Sequence, residues 1–245
     1  MGIMAPTERG VAMSPEKLAF VGGTGPEGLG LAVRFAVAGH AIVIGSRSPE
    51  RAQEAAARVR AKAPRARVEG RLNEEAVEAG EIVLVTIPFA GHRDTLKALA
   101  PAIGAKIVID VVSPLAFEGG QVRALAVPEG SAAQQAQALL PQAAVVAAFH
   151  HLDAGSLMEL DERLDADVLV CGDNPQAKLR TMALAEQIAG VRALDGGPLA
   201  NSRYLEEFTA VLLSLNKNYR AHTTLRISGI ARAGTPRRGG KPAPR

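Results

Sequence analysis

Cysteine is almost missing from this chain: Cys171 is the only one in 245 residues. That excludes an internal disulfide and any cysteine-built metal site, and it points to a reducing compartment. Tryptophan is absent, and there are only two tyrosines and six phenylalanines. A core must therefore be filled with Ala, Val, Leu and Ile, which suits a parallel sheet covered by helices. No apolar run approaches the roughly 18–20 residues that cross a bilayer. Met1 to Met13 lacks the apolar stretch of a secretory signal, so a cytoplasmic protein without a membrane partner is expected. Charge is modest, with a formal net value of +3. Arg232, Arg237, Arg238, Lys241 and Arg245 all fall in the closing segment, so the remainder is close to neutral. A nucleic-acid partner would require a basic face interleaved with aromatics, and the sequence has none. Histidine, cysteine and carboxylates do not cluster at ligand spacing, so no metal is expected.

What is present is a strand–helix alternation. Leu18–Val21, Ala41–Gly45, Arg67–Gly70, Ile82–Ile87, Lys106–Val112, Ala144–Phe149, Asp167–Cys171 and Val191–Leu194 read as strands. Leu29–Ala38, Pro49–Ala63, Asn73–Ala79 (with Asn73 as N-cap), Thr95–Leu99, Ser131–Leu140 and Pro175–Ala189 read as helices. The expected fold class is α/β: a Rossmann-type, doubly wound, mostly parallel sheet with a small C-terminal helical segment. The expected division is a disordered N-terminus at 1–15, a dinucleotide-binding unit at 16–198 with an extra strand–helix–strand unit, a helical segment at 199–230, and a disordered basic tail at 231–245. Within Ser202–Tyr219, the residues Leu205, Phe208, Val211, Leu212, Leu215 and Tyr219 recur at helical spacing and predict one buried face.

The sequence LAFVGGTGPEGLG sets Gly23-x-Gly25-x-x-Gly28 between the first strand and the first helix. Gly23 is expected to make the tight turn, Gly25 to admit a pyrophosphate to the backbone, and Gly28 to let helix and strand pack closely. Thr24, Pro26 and Glu27 complete the loop, with the Glu27 carboxylate expected to face solvent. The helix that follows would aim free N–H groups and its positive dipole end at the phosphates.

Cofactor choice is read at the end of the second strand. NAD-preferring folds place a carboxylate there for the ribose 2′-hydroxyl. This chain has Ser46–Arg47–Ser48 instead, with Arg51 one turn on. A guanidinium grips phosphate bidentately, so Ser46, Arg47 and Arg51 predict a 2′-phosphate pocket and NADP(H) as cofactor.

Six segments carry a resemblance to a known family: GGTGPEGLG at 22–30, GSR at 45–47, TIP at 86–88, FHH at 149–151, VCGD at 170–173 and GPLANSR at 197–203. From about Leu18 to Tyr219 the chain resembles the NADP-linked coenzyme F-420 reductases. The resemblance implies hydride transfer between NADP(H) and C5 of an 8-hydroxy-5-deazaflavin, coenzyme F-420, as co-substrate. It implies that Thr24, Gly25, Pro26 and Glu27 lie near the pyrophosphate, and that Ile87, followed by Pro88, runs along the nicotinamide. It also implies that His150, Leu152, Arg203 and Thr209 face the deazaflavin. Glu207 stands where the family has a serine, and Leu152 where it has a β-branched residue.

Read without that resemblance, the His150–His151 pair is the nearest thing to a catalytic site, and on a strand only one of the two would face a ligand. His150 could steady charge on a reduced ring. Structural histidines remain the alternative, and Cys171 is most simply a small core residue. Two other functions are compatible with the sequence. One is an NADPH reductase of a small carbonyl or imine, for which Lys217 is the only proton-donor candidate on the last helix. The other is a non-catalytic NADP(H) sensor, which needs no second cleft. A homodimer is expected, since the apolar stripe of the last helix serves a partner as readily as the sheet.

Overall fold

The computed structural model describes residues 14–230; the basic tail and nearly all of the expected disordered N-terminus lie outside the described residues. Strands β1 (Lys17–Val21), β2 (Ala41–Ser46) and β3 (Val68–Leu72) alternate with helices α1 (Pro26–Val37), α2 (Pro49–Lys62) and α3 (Asn73–Ala79). There follow β4 (Ile82–Val85), α4 (His92–Ile103), β5 (Ile107–Asp110), the hairpin β6 (Leu115–Glu118) and β7 (Gln121–Ala124), α5 (Ala132–Leu139) and β8 (Ala144–Ala147). The chain then runs through α6 (Ala154–Met158), β9 (Ala166–Gly172), α7 (Pro175–Ala185), β10 (Val191–Gly197) and α8 (Ser202–Tyr219).

Eight strands form one sheet in the order β10-β9-β8-β5-β4-β1-β2-β3. Six of its strand pairs are parallel; the pairing of β8 with β9 is antiparallel. The fold is therefore the doubly wound α/β arrangement that the sequence implies. Its interior strands are apolar on both faces because helices cover both. Leu18, Phe20, Ile42, Ile44, Ile82 and Leu84 pack one way, Ala19, Val21, Val43, Val83 and Val85 the other. Winding changes direction at β1: the chain steps to β2 on one side and returns to β4 on the other. A crevice opens at the carboxyl ends of those strands, where ligands bind in such sheets.

Two expectations are corrected. The last helix does not bury the whole predicted stripe. Leu205 and Leu212 are buried, but Phe208, Val211 and Tyr219 are exposed. The inward side is instead partly polar. Ser202 Oγ lies 2.7 Å from Ser131 Oγ, and the Glu206 carboxylate accepts from the backbone N–H groups of Ala132 and Ala133 at 2.7 and 3.1 Å. These side chains satisfy the free amino end of α5, which water would otherwise have to do. Asn73 is likewise the first residue of α3 and not its N-cap, a position held by Leu72. Its side-chain oxygen accepts from the Gly22 N–H at 3.2 Å and braces the glycine loop.

Candidate active site

The glycine loop follows β1 and leads into α1, and each glycine has a separable cause. Gly22, at φ 73°, makes the left-handed turn; Gly23, expected in that role, is not in that region. A Cβ at Gly23 would meet Phe20 Cβ at 2.7 Å, and one at Gly28 would meet Thr86 Oγ1 at 2.6 Å and Gly23 Cα at 3.0 Å. Those two glycines let helix and strand close on each other. A Cβ at Gly25 would meet nothing within 4 Å. The loop is open there, and α1 has no side-chain cap on its amino end, so its first N–H groups are free for an anion. Ile87 packs over Gly22, beside the exposed Pro88. These features fit the dinucleotide that the sequence implies.

Beyond β2, Ser46 is buried, and its Oγ accepts from Ser48 N at 3.2 Å. Ser48 caps α2 by accepting from Arg51 N at 3.3 Å. Arg47 and Arg51 are exposed. Neither guanidinium has an ion-pair or hydrogen-bond partner among the described residues, which leaves both free for a phosphate.

Across the crevice, β8 ends and Phe149 takes φ 72°, a left-handed conformation rare for an aromatic residue. Its ring is fully buried and meets Phe35 edge-on at 5.8 Å, so packing holds the strained turn in place. The turn aims His150 into a cavity of about 260 Å³ whose walls include Glu27, Val111, Ser113, Leu152 and Thr209. Because the chain has left the strand, His151 also lines this cavity, contrary to the expectation for adjacent strand residues. The two differ chemically. His151 Nε2 donates to Leu205 O at 2.8 Å, whereas both ring nitrogens of His150 are buried without a partner. Burial and the neighbouring His151 push His150 down to about 3, so it is a neutral imidazole at physiological pH.

Glu27 does not face solvent. Its Oε1 is shielded and unpartnered, and burial, aided by Asp153, raises its carboxyl to about 8. Arg34, two turns along α1, shapes the same wall. It is buried and donates to the carbonyls of Ser156, Leu157 and Glu159 at 2.7–2.8 Å, with Glu162 O at 3.3 Å. That clamp fixes α6 and the segment leading out of the cavity.

Thr209 lies in the cavity. Its hydroxyl accepts from Ser113 at 3.0 Å and lies 3.3 Å from both His150 O and Leu205 O, to which it can donate. Arg203 and Glu207 are not brought there. They sit on the outer side of α8, 3.8 Å from each other, with Arg203 over the Tyr204 ring. Sequence reasoning missed Ser113, Asp153, Asn216 and Thr223, which line the cavity. Only Asp153 carried a local signal, as an N-cap accepting from Ser156 N at 2.7 Å. Cys171 is buried in β9 with its thiol pushed up to about 11 by burial, consistent with a core residue. Larger hollows occur at the amino ends of β1–β3 and behind α1, away from the strand ends that carry the loop. No group of three or more potential metal ligands exists among the described residues, and no described helix is long and apolar enough to cross a membrane.

Fold and crevice together define a dinucleotide-binding protein of the Rossmann class. Residues 17–114 match the family described as "NADP oxidoreductase coenzyme F420-dependent". The F420-dependent NADP reductase of Methanothermobacter thermautotrophicus is 39% identical over 221 residues, covering 87% of this chain and 95% of the relative. That of Methanocaldococcus jannaschii is 38% identical over 87% of this chain and 99% of its own length. The solved structure of a protein from Arthrobacter sp. FB24, titled a putative F420-dependent NADP reductase, shares the fold, with a TM-score of 0.73. It is 24% identical and is covered over 96% of its length and 85% of this chain. The chain belongs to the F420-dependent NADP reductase family.

Proposed function

We propose that this protein is an oxidoreductase that exchanges a hydride between NADP(H) and coenzyme F-420. The observation that carries this reading is the cavity holding the unpartnered His150, set against the phosphate loop in a chain of this family. Two carriers must meet there face to face, and catalysis consists mainly of proximity and orientation. When bound, the two carriers supply the hydride chemistry themselves. Gly25 and the amino end of α1 take the pyrophosphate, Ser46, Arg47 and Arg51 the 2′-phosphate, and Ile87 and Pro88 flank the nicotinamide. His150, Leu152 and Thr209 receive the deazaflavin edge, with the neutral imidazole both donating and accepting. Water is excluded by the Phe149 turn and by α6, which Arg34 holds in place.

Mixing the purified protein with NADPH and oxidised F-420 is expected to bleach the deazaflavin absorbance. NADPH binding with no bleaching would sink this reading. Reduction of a small carbonyl or imine is less well supported, because Lys217 bonds to Gly120 O on the β6–β7 hairpin and is not among the residues lining the cavity. A sensor would have no use for a second cleft.

The proposed division, with a dinucleotide unit at 16–198 and a helical segment at 199–230, fits a site whose lid comes from α8. A homodimer is also proposed, on the exposed Tyr204, Phe208 and Val211, which recur at helical spacing along α8, since an exposed apolar face of this kind marks an interaction surface. Light scattering is expected to give twice the chain mass, and Phe208→Glu to reduce it; a wild-type monomer at micromolar concentration would refute the dimer. Cytoplasmic placement is proposed from the single buried thiol.

A further inference from the structure

Of the two carboxyl groups lining the cavity, Glu27 and Asp153, Glu27 is the one with a buried, unpartnered oxygen. It projects from the first turn of α1 into the space shared with His150, Leu152, Asp153 and Thr209. Its Oε1 and both ring nitrogens of His150 are buried without partners. Such atoms are costly and rare in folded proteins. Three of them on two residues facing one cavity mark a place built for a ligand with polar edges.

We propose that Glu27 is a further catalytic residue of the hydride exchange: its buried side chain touches the deazaflavin and supplies the proton that must accompany the hydride. The inference rests on the function assigned above. Reduction of the deazaflavin by NADPH consumes a proton besides the hydride. The C4–H bond of NADPH breaks, a C–H bond forms at C5 of the acceptor, and NADP+ is left. The electron pair delivered makes a conjugated ring nitrogen basic. Glu27 gives that nitrogen its proton, and the resulting carboxylate takes another from water. In the reverse direction Glu27 first loses its proton to water, and the resulting carboxylate takes the proton from the ring nitrogen as the hydride leaves C5 for NADP+.

The surroundings select Glu27 for this task. His150 is held neutral, and a neutral imidazole is a poor acid. Asp153, at the amino end of α6, accepts from Ser156 N and Ser156 Oγ and pairs with His222 Nδ1 at 2.9 Å, and these contacts lower its carboxyl. It therefore stays ionised and disfavours a second carboxylate beside it. The remaining polar side chains of the lining are Ser113, His151, Thr209, Asn216 and Thr223, and among the described residues no lysine or arginine lines the cavity. The α1 dipole favours the carboxylate, but a pyrophosphate bound at the same helix end opposes it.

Infrared spectra of the protein with NADPH alone are expected to contain a protonated-carboxyl stretch that fades as pH rises through about 8 and is missing in Glu27→Gln. Single-turnover reduction of F-420 by the wild type is expected to slow over the same range. Glu27→Gln should be about a hundredfold slower at neutral pH and saturating NADPH, and should lack that pH edge. An ionised Glu27 at neutral pH, or an unchanged rate or pH edge in Glu27→Gln, would overturn the proposal. A wild type that binds NADPH but reduces no F-420 overturns the assigned function itself. A wild type that reduces F-420 no faster than Glu27→Gln overturns the role of Glu27 alone.

Discussion

Replacing Arg47 with alanine is expected to weaken NADPH binding by about 1.5–3 kcal/mol, the worth of a hydrogen bond to a charged group, and to leave NADH binding nearly unchanged. That corresponds to roughly tenfold to more than a hundredfold in affinity. The expectation follows from what stands at the end of β2: a buried Ser46 and two exposed guanidiniums with no partner of their own. A cation near the amino end of α2 opposes the helix dipole, so its placement is unfavourable until an anion arrives. Only NADP(H) brings that anion. Calorimetric titration with both coenzymes at low and high salt checks the point. The NADPH preference should shrink with salt, because exposed charges are screened. Equal losses for both coenzymes would remove the 2′-phosphate assignment.

Asp110→Ala is expected to destabilise the protein by about 3–5 kcal/mol, the cost of stranding one partner of a buried ion pair. His92 and Asp110 are both fully buried, with His92 Nε2 2.7 Å from Asp110 Oδ2. The other ring nitrogen lies 3.0 Å from Gln135 Oε1, while Gln135 Nε2 donates to Glu129. An oxygen at each ring nitrogen favours the doubly protonated form of His92. Burial opposes that charge, but Asp110 and Gln135 outweigh burial and raise the histidine above 6.5. A raised value adds stability that is complete below the ordinary histidine pKa and is lost as pH rises through the folded one. The penalty of Asp110→Ala should therefore be largest in mild acid and shrink in alkali. A pH-independent part will remain, because Asp110 Oδ1 also accepts from Val112 N at 3.0 Å. Urea unfolding of both proteins at about pH 5.5 and about pH 9 tests this. Equal penalties at the two values would mean that His92 is neutral.

Local chemistry explains what could be read in advance. Each interior strand is an apolar run bounded by turn residues, so its identity needs no knowledge of its neighbours. The glycine loop and Ser46–Arg47 are contiguous in sequence, and contiguous groups keep their geometry when the strand and helix on either side form. Even the β6–β7 hairpin, absent from the sequence reading, was signalled: Gly119 and Gly120 both take positive φ, as a tight two-residue hairpin turn requires.

The second half of the site has no such local signature. His150, Glu27 and Thr209 come from three distant segments, and nothing in their spacing shows that they share a cavity. The orientation of Glu27 was misjudged because solvent is the default for a carboxylate in a loop, and only the arrival of Asp153 and α6 across α1 closes that space. The α8 stripe was misjudged for a related reason. Periodicity finds the apolar side of a helix, but the needs of a neighbouring element decide which side turns inward, and here the open amino end of α5 drew Ser202 and Glu206 toward the core. The sequence alone thus determined the sheet, the phosphate loop and the preference for NADP(H), whose causes are local. Tertiary packing alone decided which titratable groups share the cavity and how their protonation is biased, because desolvation and charge pairing depend on what the rest of the chain brings alongside.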